Sequence, residues 1–384
     1  MNELSESRVL IVDDVKANVD VLVQALRDEY KLSIALNGEA ALRNAEKNPP
    51  DLVLLDVMMP GLDGYEVCRR LRAAAATREV PVMFLSALED VQNKTMGFEA
   101  GGNDYLTKPF EVLEVKARVR SLLKAKAYSD AVKEKMASEL RIAREIQLGF
   151  LPADVASCTR GTGLEIHAVL EPAREVGGDL YEVLRVGDDR VVVVVGDVSG
   201  KGVPASLFMA VTMTLVRTLA RQLEKPEEVL RAVNDELAVQ NPQNMFVTLF
   251  CAVFCLKTGA ARYASAGHPS PVLLRAGQAP SCPFRPTGMM AGLAAGEEFE
   301  GRPLDWGPGD ALVFYTDGVT EAFDACGRRF GERRFLEHLA TAAGRSAAET
   351  TAGALGAVRG HAGGHPQSDD VTLLAVRHVP PVGP

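Results

Sequence analysis

Five polar residues stand where runs of apolar ones stop. Asp13 and Asp14 follow Val9–Val12, Asp56 follows Leu52–Leu55, Ser86 follows Val82–Leu85, and Lys108 follows the short run Tyr105–Leu106. Three carboxylates suit Mg2+, a hard ion that takes oxygen ligands. With the ion in place Asp56 can attack phosphorus, Lys108 can act as a point charge on the phosphoryl oxygens, and Ser86 can donate its hydroxyl. Asp13 or Asp14 alone could merely cap a following helix. Five such residues at four strand ends exceed what capping explains.

A second acidic set lies in the C-terminal part: Gly177-Gly178-Asp179, Gly196-Asp197-Val198-Ser199-Gly200-Lys201-Gly202, Thr316-Asp317-Gly318 and Asp369-Asp370-Val371-Thr372. Taken singly each is a turn signal. Together, carboxylates from four separated segments without His or Cys suit Mg2+ or Mn2+ rather than zinc. Paired ions of this kind can clamp the attacking and leaving oxygens of a phosphoester and lower the pKa of a bound water. Gly177-Gly178-Asp179 also mimics the GGDEF signature of dinucleotide cyclases, but Leu180-Tyr181 follows where Glu-Phe is required, and a cyclase is set aside.

Such residues need elements that bring them together. The runs at Val9–Val12, Leu52–Leu55 and Val82–Leu85 are apolar on both faces, as central parallel strands require. Val15–Asp28, Gly38–Lys47 and Tyr65–Ala74 between them carry the 3.6 spacing of amphipathic helices. A doubly wound α/β domain over residues 1–124 follows, with the polar residues at carboxyl ends of strands, where such a sheet opens its binding crevice. From Val112 to Phe150 there is no proline, and the one glycine is Gly149. Dense Lys, Glu, Arg and Ala predict one long helix of about 60 Å, whose stretch 125–150 serves as a linker. Its apolar stripe of Val115, Val119, Leu122, Tyr128, Val132, Met136, Leu140, Ala143 and Ile146 has a period near 3.5 to 3.6, so the outer part calls for a partner, as in a coiled-coil homodimer. Leu151-Pro152 stops the helix. Residues 151–384 change to strands at 164–170, 179–186, 191–195, 247–256, 260–264, 311–314 and 371–375, with helices at Val203–Gln222 and Pro226–Gln240. Helices grouped among hairpin-connected strands predict an α+β sandwich.

Composition excludes other classes. The 384 residues, 47% hydrophobic and 24% charged, are those of two or three globular domains. A net charge of -9 with no basic stripe argues against nucleic acid as a partner. Six cysteines without a C-x-x-C pair disfavour zinc, and Cys251 and Cys255 share one strand face too far apart to bond each other. Apolar runs such as Val191–Val195 fall short of the roughly 18 residues that span a bilayer, and Met1-Asn2-Glu3 opens no secretory leader. The expectation is a cytoplasmic protein without a membrane partner.

The first third resembles the receiver domain of two-component response regulators, in Leu10-Ile11-Val12-Asp13-Asp14, in Leu54-Leu55-Asp56 through Asp63-Gly64, and in Asp104-Tyr105-Leu106-Thr107-Lys108-Pro109-Phe110. The resemblance implies a flavodoxin-like fold and phosphorylation of Asp56 by a sensor histidine kinase. It also implies Mg2+ on Asp13 or Asp14, Asp56 and the Met58 carbonyl, with Ser86 and Tyr105 as the switch pair. Residues 140–378 resemble the PPM serine/threonine phosphatases of the stage II sporulation protein E and RsbU branch. That likeness rests on the four acidic signals, on Glu171-Pro172-Ala173-Arg174-Glu175-Val176 and Ala266-Gly267-His268-Pro269, and on the leading helix Glu139–Gln147. It implies that Asp197 bridges two Mn2+ or Mg2+, that Asp179 and the Val198 carbonyl serve one ion and Asp317 and Asp369 the other, and that phosphoserine or phosphothreonine is hydrolysed. Arg174 stands where eukaryotic relatives keep a phosphate-binding arginine. A solvated surface arginine is the competing reading, and Lys201 has the same two. His268, in a turn of small residues, reads as structural. Relatives of this type dephosphorylate an anti-sigma-factor antagonist. The alternative is an adaptor that binds a sigma factor or its regulator, as in similar regulators that have lost their metal carboxylates. A scaffold that only dimerises would leave the carboxylates without purpose.

Overall fold

A computed structural model describes residues 5–87, 91–239 and 241–379, the side chains of 91–94 excepted. The chain forms two compact units, Met1–Ala137 and Ser138–Pro384. In the first, strands β1 (Arg8–Val12), β2 (Lys31–Ala35), β3 (Leu52–Asp56), β4 (Val82–Ser86) and β5 (Asp104–Thr107) alternate with helices α1 (Lys16–Leu26), α2 (Gly38–Lys47), α3 (Gly64–Ala73), α4 (Val91–Glu99) and the start of α5 (Val112–Phe150). The sheet is parallel in the order β2-β1-β3-β4-β5. Period 2 along the strands divides the core. Leu10, Val12, Val53, Leu55 and Phe84 pack with α2 and α3 on one face, while Val9, Ile11, Leu54, Met83 and Leu85 pack with α1 and with Val115, Val119 and Leu123 of α5 on the other. Both faces are covered, which is why β3 and β4 are apolar up to their last residues, Asp56 and Ser86.

Helix α5 runs for 39 residues without a break, over the predicted span. Its stripe starts in the core, with Val115, Val119 and Leu123 buried, and then emerges: Tyr128, Val132 and Met136 are 75%, 48% and 62% exposed. At its end the predicted stripe is off by one position. Ile146 is exposed and Gln147 is the buried residue, because the inward line there runs through Leu140, Ala143 and Gln147.

The second unit holds α6 (Val155–Thr159), β6 (Leu164–Glu171), β7 (Leu180–Val186), β8 (Arg190–Val198), α7 (Val203–Gln222), α8 (Pro226–Val239), β9 (Val247–Cys255), β10 (Ala261–Ala266), β11 (Val272–Leu274), β12 (Arg302–Leu304), β13 (Ala311–Tyr315), α9 (Asp317–Thr320), α10 (Gly331–Leu339), α11 (Ala347–Ala362) and β14 (Val371–His378). Gln240, the predicted last residue of the α8 helix, lies outside the described residues. Two antiparallel sheets, β12-β10-β9-β8-β7 and β11-β13-β14-β6, pack face to face. Along β8 the alternation assigns Val191, Val193 and Val195 to the space between the sheets and Val192 and Val194 to the face under α7 and α8. Helices α10 and α11 cover the outer face of the other sheet. By length and composition α7 could cross a bilayer, a length that no continuous apolar run in the sequence reaches. Its face of Ala205, Met209, Met213, Val216 and Ala220 lies in the core, which accounts for that composition.

Candidate functional site

In the first unit, β1 pairs with β3, β3 with β4 and β4 with β5, so Asp13, Asp56, Ser86 and Lys108 stand side by side along the carboxyl edge. Lys108 Nζ lies 2.7 Å from Asp13 Oδ2 and 3.0 Å from Asp56 Oδ1. The ligand oxygens of Asp13, Asp14 and Asp56 fall within 4.8 Å of one another. Asp13 is fully buried and accepts from the Val15 N–H and from Asn18 Nδ2, a contact the sequence did not point to. Burial pushes the Asp56 carboxyl above the usual range, against the pull of Lys108, and the Met58 N–H donates to it. Three clustered carboxylates with one ammonium leave negative charge to be balanced, which fits a divalent cation. Ser86 is buried at the end of β4. Tyr105 is turned inward, its hydroxyl 3.4 Å from that of Tyr65, and burial raises its phenol pKa.

In the second unit four loops converge. Asp179, 2% exposed, accepts at Oδ2 from the hydroxyls of Thr316 at 2.7 Å and Thr372 at 2.6 Å. The Thr372 N–H in turn donates to Thr316 Oγ1, which ties the starts of α9 and β14 together. Asp370 accepts from the N–H groups of Ala173 and Gly178 at 2.8 and 2.7 Å, and Lys201 Nζ sits 2.7 Å from Asp369 Oδ2. A Cβ on Gly177 would stand 2.0 Å from Asp370 Oδ2, and one on Gly318 1.9 Å from the Asp370 carbonyl, so both close approaches require glycine. Burial, and then the charges of Asp317, Asp369 and Asp370, push the Asp197 carboxyl up to about 7. Crowded carboxylates with one paired ammonium, Lys201 on Asp369, leave negative charge to be balanced. Among the described residues only the receiver-type triad draws its ligand oxygens within 4.8 Å; the second set is looser. A donor set for two ions about 3.5 to 4 Å apart has to be wider than one for a single ion.

Of the other candidates, Arg174 is exposed and Lys201 is held by Asp369 and the Ser368 carbonyl. His268 is buried, its Nδ1 2.9 Å from Thr248 Oγ1, and burial lowers its pKa to about 3. It cannot donate a proton near neutrality and supports the loop instead. Asp370, Thr316 and Thr372 stood inside the acidic signals without a role of their own, and only the fold reveals what they hold.

A family model described as Stage II sporulation protein E (SpoIIE) matches residues 187–379, half of the chain. The chain belongs to the stage II sporulation protein E family. A second model, Response regulator receiver domain, matches residues 9–120. Response regulator PleD of Caulobacter vibrioides is 43% identical over 137 residues, 35% of this chain and 30% of its own length. Protein IcfG of Synechocystis is 32% identical over 265 residues, 62% of this chain and 41% of its own. The chain thus spans less than half of either relative. The SiaA-PP2C domain of Pseudomonas aeruginosa has the same fold as the second unit, with a TM-score of 0.57 at 23% identity over 64% of this chain and 98% of that one. The RsbU and RsbW domains of a Mycobacterium tuberculosis protein give a TM-score of 0.50 at 32% identity over 57% and 61%. This stage II sporulation protein E family member is therefore a response regulator in which a doubly wound receiver precedes a PPM-type phosphatase domain.

Proposed function

We propose that the chain is a cytoplasmic response regulator whose output is a metal-dependent phosphoserine and phosphothreonine protein phosphatase. A sensor histidine kinase would phosphorylate Asp56, and the phosphatase substrate would be an anti-sigma-factor antagonist. The observation that supports this best is the meeting of carboxylates from four separate segments, Asp179, Asp197, Asp317 and Asp369, the last of them paired with Lys201.

Asp197, at the end of β8, would serve two cations, Asp179 and the Val198 carbonyl one of them, Asp317 and Asp369 the other. When bound, two Mg2+ or Mn2+ supply the charge that activates water and neutralises phosphoryl oxygens. Thr316 and Thr372 fix one oxygen of Asp179 and so orient the other, while Asp370 holds the backbone that carries it. Arg174, exposed beside the first acidic signal, is available to a substrate phosphate. In the receiver, Asp13, Asp14, Asp56 and the Met58 carbonyl would hold one Mg2+. Lys108, between Asp13 and Asp56, takes up charge on the phosphoryl group, and Ser86 and Tyr105 respond to it. The exposed stripe of Tyr128, Val132 and Met136 would pair with a second copy, linking receiver phosphorylation to output.

Phosphate release from phosphorylated candidate antagonists of the same organism tests the reading. Release is expected with Mn2+ and is expected to vanish with chelator and in Asp197→Asn. Wild-type turnover in Asp197→Asn would favour the adaptor instead.

A further inference from the structure

We propose that Gln147, on the last turn of α5, is a positioning residue that holds Asp179 in place for metal binding. The inference rests on the phosphatase reading above. Gln147 is 8% exposed, between Ile146 at 61% and Leu148 at 42%, so the helix turns an amide inward where an apolar side chain would be the ordinary choice. Both ends of that amide bind one residue. Nε2 donates to the Gly177 carbonyl at 2.6 Å, and Oε1 accepts from the Gly177 N–H at 3.1 Å.

A pair of bonds from a planar amide fixes the rotation of the Gly177 backbone as well as its position. The next two N–H groups, of Gly178 and Asp179, both point to Asp370 Oδ2, at 2.7 and 3.4 Å. Gly177 is thus clamped between Gln147 and Asp370, with no room for a Cβ on the Asp370 side. Two residues further on, the Asp179 carboxylate is gripped by Thr316 and Thr372. The arc from Gly177 to Asp179 is therefore held at both ends, and one end belongs to α5. A second tie runs parallel to it: Arg217 of α7 donates to the Phe150 carbonyl at the end of α5 and to the buried Glu182 Oε2 on β7, each at 2.7 Å. Removal of the Gln147 amide leaves Gly177 with a buried N–H and C=O and no fixed partner, and the backbone ahead of Asp179 is free to shift.

The test uses the full chain carrying Asp13→Asn to silence the receiver ion site, and compares Gln147 with Gln147→Leu and Gln147→Glu. Leucine keeps the size and loses both bonds. Glutamate keeps an acceptor for the Gly177 N–H and sets an oxygen against its carbonyl. Mn2+ binding is read directly from the paramagnetic resonance of the free ion, alongside kcat and KM for p-nitrophenyl phosphate at saturating Mn2+ and thermal unfolding in chelator. Both variants are expected to bind Mn2+ at least about tenfold more weakly, the size of effect seen when groups that orient metal ligands are lost. KM is expected to stay at the wild-type value and cooperative unfolding to be retained. Wild-type Mn2+ affinity in either folded variant overturns the proposal, as does weaker binding that comes only with loss of cooperative unfolding. If Gln147→Leu does not fold, Gln147→Glu decides alone. Absence of hydrolysis by the wild type would sink the phosphatase reading, while the Mn2+ measurement would still decide the role of Gln147.

Discussion

Lys201 Nζ lies 2.7 Å from Asp369 Oδ2, so the one cationic side chain of the Gly196–Gly202 loop is paired with a carboxylate proposed to hold metal. The pair is partly exposed, and such pairs contribute at most about 1 kcal/mol. A cation that binds Asp369 competes with Lys201 for its negative charge. Lys201→Met is therefore expected to bind Mn2+ up to about fivefold more tightly, with KM for a phosphopeptide unchanged. A tenfold rise in KM would reassign Lys201 to the substrate phosphate.

At the receiver, Asp56 is the acidic residue whose Oδ1 faces Lys108 at 3.0 Å. Acetyl phosphate or beryllofluoride is expected to modify that residue alone. Asn keeps the shape and removes the nucleophilic oxygen, so Asp56→Asn should accept no phosphate. Stoichiometric labelling of the variant, followed by mass spectrometry, would show that another residue is the acceptor.

The exposed part of α5 predicts a change of oligomeric state. Burying the stripe of Tyr128, Val132 and Met136 against a second copy yields about 25 cal/mol per Å2 of apolar area, enough for a small bias at the receiver to shift the balance. Beryllofluoride is expected to convert monomer to dimer in sedimentation and to raise phosphatase activity. Val132→Asp with Met136→Asp should block both. If activity rises while the wild type stays monomeric, or if the double variant is activated like the wild type, the dimer switch is wrong.

His268 gives a dependence on acid. Its folded pKa, lowered by burial to about 3, lies below the ordinary value of 6.5. The unfolded chain therefore binds a proton between pH 6.5 and 3 that the folded one refuses. The contribution is complete above pH 6.5 and is lost as pH falls, at about 1.4 kcal/mol per pH unit inside that window. Asp197, shifted the other way, opposes this trend but is common to wild type and variant. The stability difference between wild type and His268→Gln should thus shrink steadily from pH 6.5 to 4 in denaturant titrations. A constant difference would mean that His268 takes up its proton in the folded chain as readily as in the unfolded one.

How far the sequence carried these conclusions depended on how each residue meets its surroundings. Strands β3, β4 and β8 declared themselves because two covered faces demand continuous apolar runs. The edge strand β2, half exposed, and the three-residue β11 and β12 carry too few buried positions to make a pattern. Charged residues at strand ends were legible for the same reason, since a carboxylate directly after an apolar run is unusual. Asp370 was not separable from Asp369, because its task is to accept backbone N–H groups from Ala173 and Gly178, about 200 positions earlier. Gln147 was hidden by the reverse effect: a buried polar side chain breaks the periodicity that locates buried faces, and the exposed Ile146 fitted the period better.

The position of β14 also bears on the order of events during synthesis. This strand pairs with β13 on one side and with β6 on the other, and Asp369 and Asp370 lie immediately ahead of it. A ribosome releases the receiver sheet by Thr107 and its covering helix soon after, long before β6 has its neighbour. The newborn chain therefore has its receiver sheet complete while β6 and one edge of β13 still lack their shared neighbour, and the proposed metal site waits for β14 to thread between two strands that are already made.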